Sequence, residues 1–432
     1  MRILHIASGD FFSTYGGGQV YVKNIIDEMI CQGVDVCVVS FVSHHAELKR
    51  LSYQGQPLYE IGSGCDEQIA EAVRELRPDI IHAHSHKSEV CLLGRALHVP
   101  VIVTAHHGGI LCPAGTLLDN DDTICSKQVC VKNCLRCCLR NIRSGLYWYP
   151  LVKHLPEGLF LKLGQFLRKK PFIPFITPIG GTVLAIEGKR AQWKCICEQC
   201  TLMIAPSEVM GKAMTDRGLD ERKLRVVPHG IPRPKSVPPA APVTDGVVKL
   251  FYIGRICYVK GIHVLLEAFA GVRNNRVELH LIGGAANKAE VRYMQRLQKK
   301  YAHDTRIIWH GKVNPEAVYE QIKEYHASSS SSFLESFGLN ISESLAMGKP
   351  VIATRCGGAE MQIKEGINGW LVPTNDPEAL RAKIEEVVRH PDRLSSMSER
   401  CKQSVVYLEE HCKVLNKIYS EYDEKKETAN RR

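Results

Sequence analysis

Short apolar runs alternate with amphipathic stretches along most of the chain. Strand-length runs fall at Arg2–Ala7, Val34–Phe41, Pro57–Ile61, Asp79–His84, Val99–His106, Leu202–Pro206 and Leu224–Pro228. Between them, helix-period stretches such as Gln19–Cys31, Asp66–Leu76 and Glu89–Leu97 repeat an apolar face. Nearly continuous apolar strands separated by helices predict a parallel sheet covered on both faces. The rhythm restarts after residue 246. Strands are expected at Val248–Ile253, Val277–Ile282, Arg306–Trp309, Ser328–Phe333, Pro350–Thr354 and Trp370–Val372. Helices are expected at Ile262–Arg273, Ala289–Lys300, Pro315–Glu324, Leu339–Met347 and Pro377–Arg389.

Between the halves, Pro232–Pro242 holds five prolines in eleven residues, too many for helix or sheet. The expected organisation is a first Rossmann-like domain over 1–231, a linker over 232–246, a second over 247–402, and a C-terminal helix with a frayed tail over 403–432. Two such domains on one linker predict a cleft between two sheet crevices. Residues 108–186 break the rhythm and read as an insertion, rich first in cysteine and then in basic and aromatic residues. The 432-residue length fits two domains.

The formal net charge of +10 points to an anionic partner without choosing among nucleotide, phospholipid surface and nucleic acid. Met1–Ala7 has the length of a strand and no cleavage-site pattern. No uninterrupted apolar run reaches the ~18 residues of a membrane span. The expected location is the cytoplasm, with contact at the inner face of the plasma membrane.

The most informative segment runs from Glu335 to Pro350. Gly348 and Pro350 stop a helix over Leu339–Met347. Gly338 then stands at a helix N-terminus directly after a strand, where free N–H groups suit a phosphate. Glu335 precedes the helix and Glu343 lies just over one turn inside it. This Glu-x7-Glu pattern, with Phe337-Gly338-Leu339 between the acids, resembles the motif of glycosyltransferase family 4, a retaining family of GT-B fold. Further landmarks occur in family order. Gly254-Arg255 and Lys260-Gly261 resemble the Gly-Arg…Lys-Gly element after the first strand of the second domain. Gly16-Gly17 resembles the N-terminal glycine loop, and Thr104-Ala105-His106 the strand end with the active-site histidine. The adjacent His107 departs from the family and leaves that histidine's assignment open.

The resemblance implies an α/β GT-B enzyme whose second domain binds a nucleotide-diphosphate-sugar. Glu343 would hold the ribose and Glu335 the sugar. Arg255 and Lys260 would stabilise the leaving diphosphate, an electrostatic role. Gly16, Gly17, Gly254, Phe337, Gly338 and Leu339 would line the donor site, and His106 would touch sugar or acceptor. The acceptor would be a glycan or a lipid-linked glycan in cell-surface polysaccharide or glycolipid synthesis. The alternatives are a GT-B nucleotide-sugar epimerase and a non-catalytic nucleotide-sugar-binding scaffold. Nucleic-acid binding is not expected, because the basic residues concentrate in one insertion with no recognised module.

Asp119-Asn120-Asp121 formally fits a metal-binding Asp-x-Asp. With no strand leading to it, it reads as a polar turn, and transfer is expected to need no metal. Cys112, Cys125, Cys130, Cys134, Cys137 and Cys138 have spacings that suit a structural zinc, or an iron–sulfur cluster. The competing reading is a loop of free thiols. Over 139–170, Arg140, Arg143, Lys153, Lys162, Arg168, Lys169 and Lys170 interleave with Tyr147, Trp148, Tyr149, Phe160 and Phe166. That composition suits an anionic membrane interface or, equally, a solvated face with inward aromatics. The five serines from Ser328 to Ser332 are poor strand formers whose hydroxyls need partners if buried.

Overall fold

The structure is a computed structural model. It describes the chain except residues 8–10, 13–16, 43–46, 63–65, 141–148, 151–155, 169–175, 238, 240–242, 244–245, 315–316 and 431–432. Gly16 and, in the basic stretch, Arg143, Tyr147, Trp148, Lys153, Lys169 and Lys170 therefore lie outside the described residues. The chain forms two compact units, Met1–Val227 with Leu415–Arg432, and Pro228–Val414.

The first unit is built on strands β1 (Arg2–Ile6), β2 (Asp35–Val42), β3 (Lys49–Tyr53), β4 (Gln56–Gly62), β5 (Ile80–Ala83), β6 (Val101–Thr104), β7 (Leu202–Ala205) and β8 (Leu224–Val226). They make one sheet in the order β3-β4-β2-β1-β5-β6-β7-β8. All pairs are parallel except β3 with β4. Every residue of β5, β6 and β7 is buried, as a strand with helices on both faces requires.

The exception, β3, is the strand that apolar patterning did not reveal. Its residues are exposed or half-exposed and it sits at the sheet edge. Gln54 and Gly55 both have positive φ (50° and 81°), which makes a tight two-residue hairpin turn and returns the chain antiparallel.

The connection from β6 to β7 carries helices Val131–Leu139, Glu157–Arg168 and the 24-residue Ile176–Gln199. The last of these runs through residue 186, where the insertion was expected to end. Pro178 falls within its first turn, where a missing N–H is tolerated, and Gly180-Gly181 follow, which masks the periodicity. Val129, Val131, Leu135, Leu139, Val183 and Ile186 give these helices an apolar core, with Cys134 and Cys138 packed on it.

The second unit has strands β9 (Val248–Ile253), β10 (Val277–Ile282), β11 (Ile307–Gly311), β12 (Ala327–Ser330), β13 (Val351–Thr354) and β14 (Gly369–Val372). All are parallel, in the order β11-β10-β9-β12-β13-β14. This is the doubly wound Rossmann order, with a topological switch point between β9 and β12. In the first unit the corresponding switch lies between β1 and β5. Ligands of such sheets bind beyond the carboxyl ends of the strands at the switch. No helix among the described residues is long and apolar enough to cross a membrane.

Candidate active site

The carboxyl ends of β9 and β12 bring Gly254, Arg255, Lys260 and Glu335 into one unit. Gly254 has φ 143°, and the neighbouring Gly283 approaches it so closely that an added Cβ would lie 1.8 Å from the Gly254 carbonyl oxygen. The Tyr252 hydroxyl donates to the Arg255 carbonyl (2.8 Å), which fixes this strand-end turn. Lys260 ends a short 3-10 turn closed by Gly261, at φ 63°. A Cβ on Gly261 would stand 2.0 Å from the Ser331 carbonyl oxygen, so only glycine lets the two loops touch. The Ser331 hydroxyl donates across the same contact to the carbonyls of Lys260 (3.0 Å) and Gly261 (2.9 Å).

The result is an ion pair. Lys260 Nζ lies 2.5 Å from Glu335 Oε1, with the two side chains 23% and 7% exposed. The Ser332 hydroxyl donates to the same oxygen at 2.6 Å. Glu335 is further held by its backbone, whose N–H donates to Cys356 O (2.8 Å) and whose carbonyl accepts from Gly358 N (2.9 Å). Arg255 does not join this pair. Its Nε lies 3.6 Å from Glu290 and its side chain is 56% exposed.

After Glu335 the chain turns through Gly338, at φ 92° and ψ 65°, into helix Leu339–Ala346. No side chain caps that end. Gln362 fixes it from behind, its Nε2 donating to the carbonyl of Phe337 (2.6 Å) while its Oε1 accepts from the Ser342 hydroxyl (2.6 Å). Glu343 is partly buried in this helix, and burial pushes its carboxyl up to about 7. Burial, and then the nearby Glu343 charge, push the Tyr319 hydroxyl up.

The serine-rich strand therefore serves the site. Serines 328–330 are buried, while the next two hydroxyls organise Lys260 and Glu335. The cost remains visible, since the hydroxyls of Ser329 and Ser330 are buried with no partner.

In the first unit, β1, β5 and β6 place a row of imidazoles. His5 Nδ1 is 3.2 Å from His84 Nε2, and His84 Nδ1 is 3.0 Å from His106 Nε2. Beside them, His82 is bonded to Tyr419 (2.6 Å) and Thr104 (2.7 Å). Burial pushes His5 down to about 3 and, with neighbouring His82, His106, His5 and Lys87, holds His84 well below 6.5. Both are neutral, so the proton position on one ring sets that of the next. His106 is half-buried beside the Tyr21 ring, 5.3 Å away. His107 is exposed, and its Nδ1 accepts from Gly109 N at 3.0 Å as the cap of a 3-10 turn. Gly17 opens helix Gly17–Cys31, and a Cβ on Gly18 would meet the His106 side chain at 3.6 Å. Sequence reasoning missed His5 and His84, because a histidine inside an apolar strand carries no signal of its own.

The insertion cysteines lie in one neighbourhood. Cys134 senses Cys112, Cys130 and Cys125, and Cys138 senses Cys134, Cys112 and Cys137. Burial pushes the thiols of Cys134 and Cys138 up to about 12, as for small apolar side chains. Among the described residues, the one group of three candidate ligands whose donor atoms lie within 4.8 Å of one another is His5, His82 and His84. Asp119 closes a turn, its Oδ1 accepting from Asp121 N (2.9 Å) and Thr123 N (3.1 Å).

Two doubly wound units with a basic and acidic pair at one switch point and a histidine row at the other define a GT-B protein. Solved structures share this architecture. Anabaena HepE in complex with UDP and glucose aligns with a TM-score of 0.66 at 15% identity, over 98% of this chain and 100% of that one. Sucrose-phosphate synthase from Thermosynechococcus elongatus aligns at 0.68 and 17% identity, over 98% of each chain. Two family models match: "Glycosyltransferase Family 4" over residues 15–119 and "Glycosyl transferases group 1" over 239–404. The chain belongs to the family 4 type of GT-B glycosyltransferases. Curated relatives include D-inositol 3-phosphate glycosyltransferases. That of Geodermatophilus obscurus is 28% identical over 42% of this chain and 44% of its own length. That of Thermobispora bispora is 30% identical over 34% of this chain and 37% of its own length. The matched region thus spans less than half of these relatives.

Proposed function

We propose that the protein transfers a sugar from a nucleotide-diphosphate-sugar to a glycan or lipid-linked acceptor, with retention at the anomeric carbon and no metal. The observation that carries this reading is the Lys260–Glu335 pair beside the uncapped helix end at Gly338. Free N–H groups at that end and the Lys260 ammonium suit a diphosphate that gains charge as its bond to the sugar breaks. Arg255, exposed at the same strand end, adds a mobile positive charge. Glu335 accepts from sugar hydroxyls, and Glu343 from the ribose. In the first unit His106, rather than the turn-capping His107, meets sugar or acceptor. The acceptor oxygen bonds to the anomeric carbon on the face that the phosphate leaves, and its proton passes to the departing phosphate oxygen. UDP-sugars are the first donors to test, because Anabaena HepE, of the same fold, was solved with UDP and with UDP-glucose.

Membrane contact belongs to the same proposal. On helix Glu157–Arg168, Leu159 and Phe166 are 49% and 57% exposed, with Lys162 exposed between them. Apolar side chains flanking a cation suit an anionic lipid surface at the site of synthesis, the inner face of the plasma membrane.

A thermal-shift screen of UDP-, GDP-, ADP- and dTDP-sugars tests the donor half, since a ligand that binds the folded state raises the melting temperature. One donor series is expected to stabilise the wild type and to lose its effect in Glu343→Ala. No stabilisation by any of the four contradicts the reading.

A further inference from the structure

A pocket of ≈ 420 Å³ opens in the first unit beside His106, walled by the start of helix Lys87–Ala96 and by helix Ile176–Gln199. Lys87 and Lys189 converge on it from these two elements, together with His106, His107, Ser88 and Glu89. Among the described residues neither lysine has a carboxylate within 4 Å: no ion pair includes either, and Lys87 Nζ donates only to the His84 carbonyl, at 2.5 Å. The one acid of the wall, Glu89, has Oε2 accepting from the Ser88 hydroxyl at 2.9 Å.

Two half-buried ammonium groups facing one space repel each other. Burial pushes Lys87 down to about 8, and the Lys189 charge adds to the shift; burial also lowers Lys189. An anion between them would accept hydrogen bonds from both ammonium groups and relieve the repulsion. The helix start adds free backbone N–H groups, because its N-cap residue, His86, makes no side-chain cap.

We infer that Lys87 and Lys189 form a subsite for a phosphoryl group of the acceptor, and hence that the acceptor is phosphorylated close to the hydroxyl that is glycosylated. The inference rests on the glycosyl-transfer reading for the word acceptor; the anion site stands without it. His106 lies in the same wall, so an acceptor anchored by its phosphate presents a nearby hydroxyl to that histidine.

The test is residue-resolved and independent of activity. The whole chain is pulse-labelled at pH 8 with acetic anhydride, and acetylation of each lysine is read by mass spectrometry. Inorganic phosphate between the two ammonium groups raises the Lys87 pKa by about one unit, which slows its labelling about fivefold. Exposed Lys194 is the internal control and keeps its rate. Lys189→Gln is expected to slow Lys87 labelling without phosphate, by relieving repulsion, and to abolish the phosphate effect. A parallel arm replaces phosphate with phosphatidylcholine vesicles containing phosphatidic acid. Protection by vesicles alone assigns the site to a lipid headgroup, and protection by free phosphate assigns it to a soluble phosphorylated acceptor. If neither probe slows Lys87 more than Lys194, the subsite is overturned. If protection is found but no donor sugar binds, the subsite stands and the glycosyl-transfer reading fails.

Discussion

Replacing Lys260 with methionine leaves Glu335 as a carboxylate of 7% exposure, held by the Ser332 hydroxyl and without its cation. Removing one partner of a buried ion pair costs ~3–5 kcal/mol, because the other charge stays desolvated. Lys260 is 23% exposed, so water enters as it leaves and the cost falls below that range, to about 2–3 kcal/mol. For a unit of this size each kcal/mol lowers Tm by about 2–4 °C, which gives a drop of roughly 4–12 °C by scanning calorimetry. Lys260→Met/Glu335→Leu removes both charges and is expected to recover more than half of the lost stability. Both variants should lose UDP-sugar binding or turnover, the double one despite its recovered fold. A cost for Lys260→Met below about 0.5 kcal/mol, the value of a surface pair, would refute the buried-pair reading. A double variant as unstable as the sum of the two single variants would refute that reading equally.

Glu343 yields a pH prediction. Its folded pKa is raised, to about 7, above the ordinary carboxyl value, so the folded state holds the proton longer than the unfolded state. Stability of the free protein should therefore fall as pH rises from the ordinary value toward 7, and Glu343→Gln should flatten that slope in urea unfolding. Nucleotide affinity should rise over the same window, because the ionised carboxylate is the better acceptor for ribose hydroxyls; titration calorimetry at pH 6 and 8 checks it. Gly358→Ala places a Cβ 2.2 Å from the Phe337 carbonyl oxygen and should destabilise the second unit by about 2–4 kcal/mol, with loss of donor binding. His84→Phe removes the partner 3.0 Å from His106; it should lower kcat about tenfold or more while donor affinity is kept, since it frees the tautomer and not the donor site. Leu159→Asp with Phe166→Asp should abolish co-sedimentation with anionic vesicles, and unchanged binding would remove the membrane proposal.

Much of the parallel-sheet frame was legible because strands buried on both faces leave long apolar runs. Val248–Ile253 and Val277–Ile282 begin and end where the pattern placed them. The edge strand Lys49–Tyr53 was not legible, since it is held by a turn and a ladder rather than by apolar faces. The long helix Ile176–Gln199 was hidden by Pro178 and two glycines near its start. At the site, glycines and charges were readable as types, but their partners were not. Lys260 and Glu335 were expected in separate roles and are one pair. Arg255 was expected beside Lys260 and turns to Glu290. Ser331 and Ser332 looked like poor strand residues and are the hydroxyls that position both. The packing of the Cys134 and Cys138 thiols on the apolar core of the insertion helices was not legible in the cysteine spacing.

The most direct test is acceptor-dependent release of UDP. The full chain is incubated with a stabilising UDP-sugar, excess chelator, and phosphorylated soluble or lipid-linked glycan acceptors, and UDP is measured over time beside Glu335→Gln. The expected result is release that requires acceptor, persists with chelator, and falls at least a hundredfold in the variant, about 2.7 kcal/mol of transition-state stabilisation. Binding of the UDP-sugar with no release on any acceptor, or equal release by wild type and variant, would contradict the account.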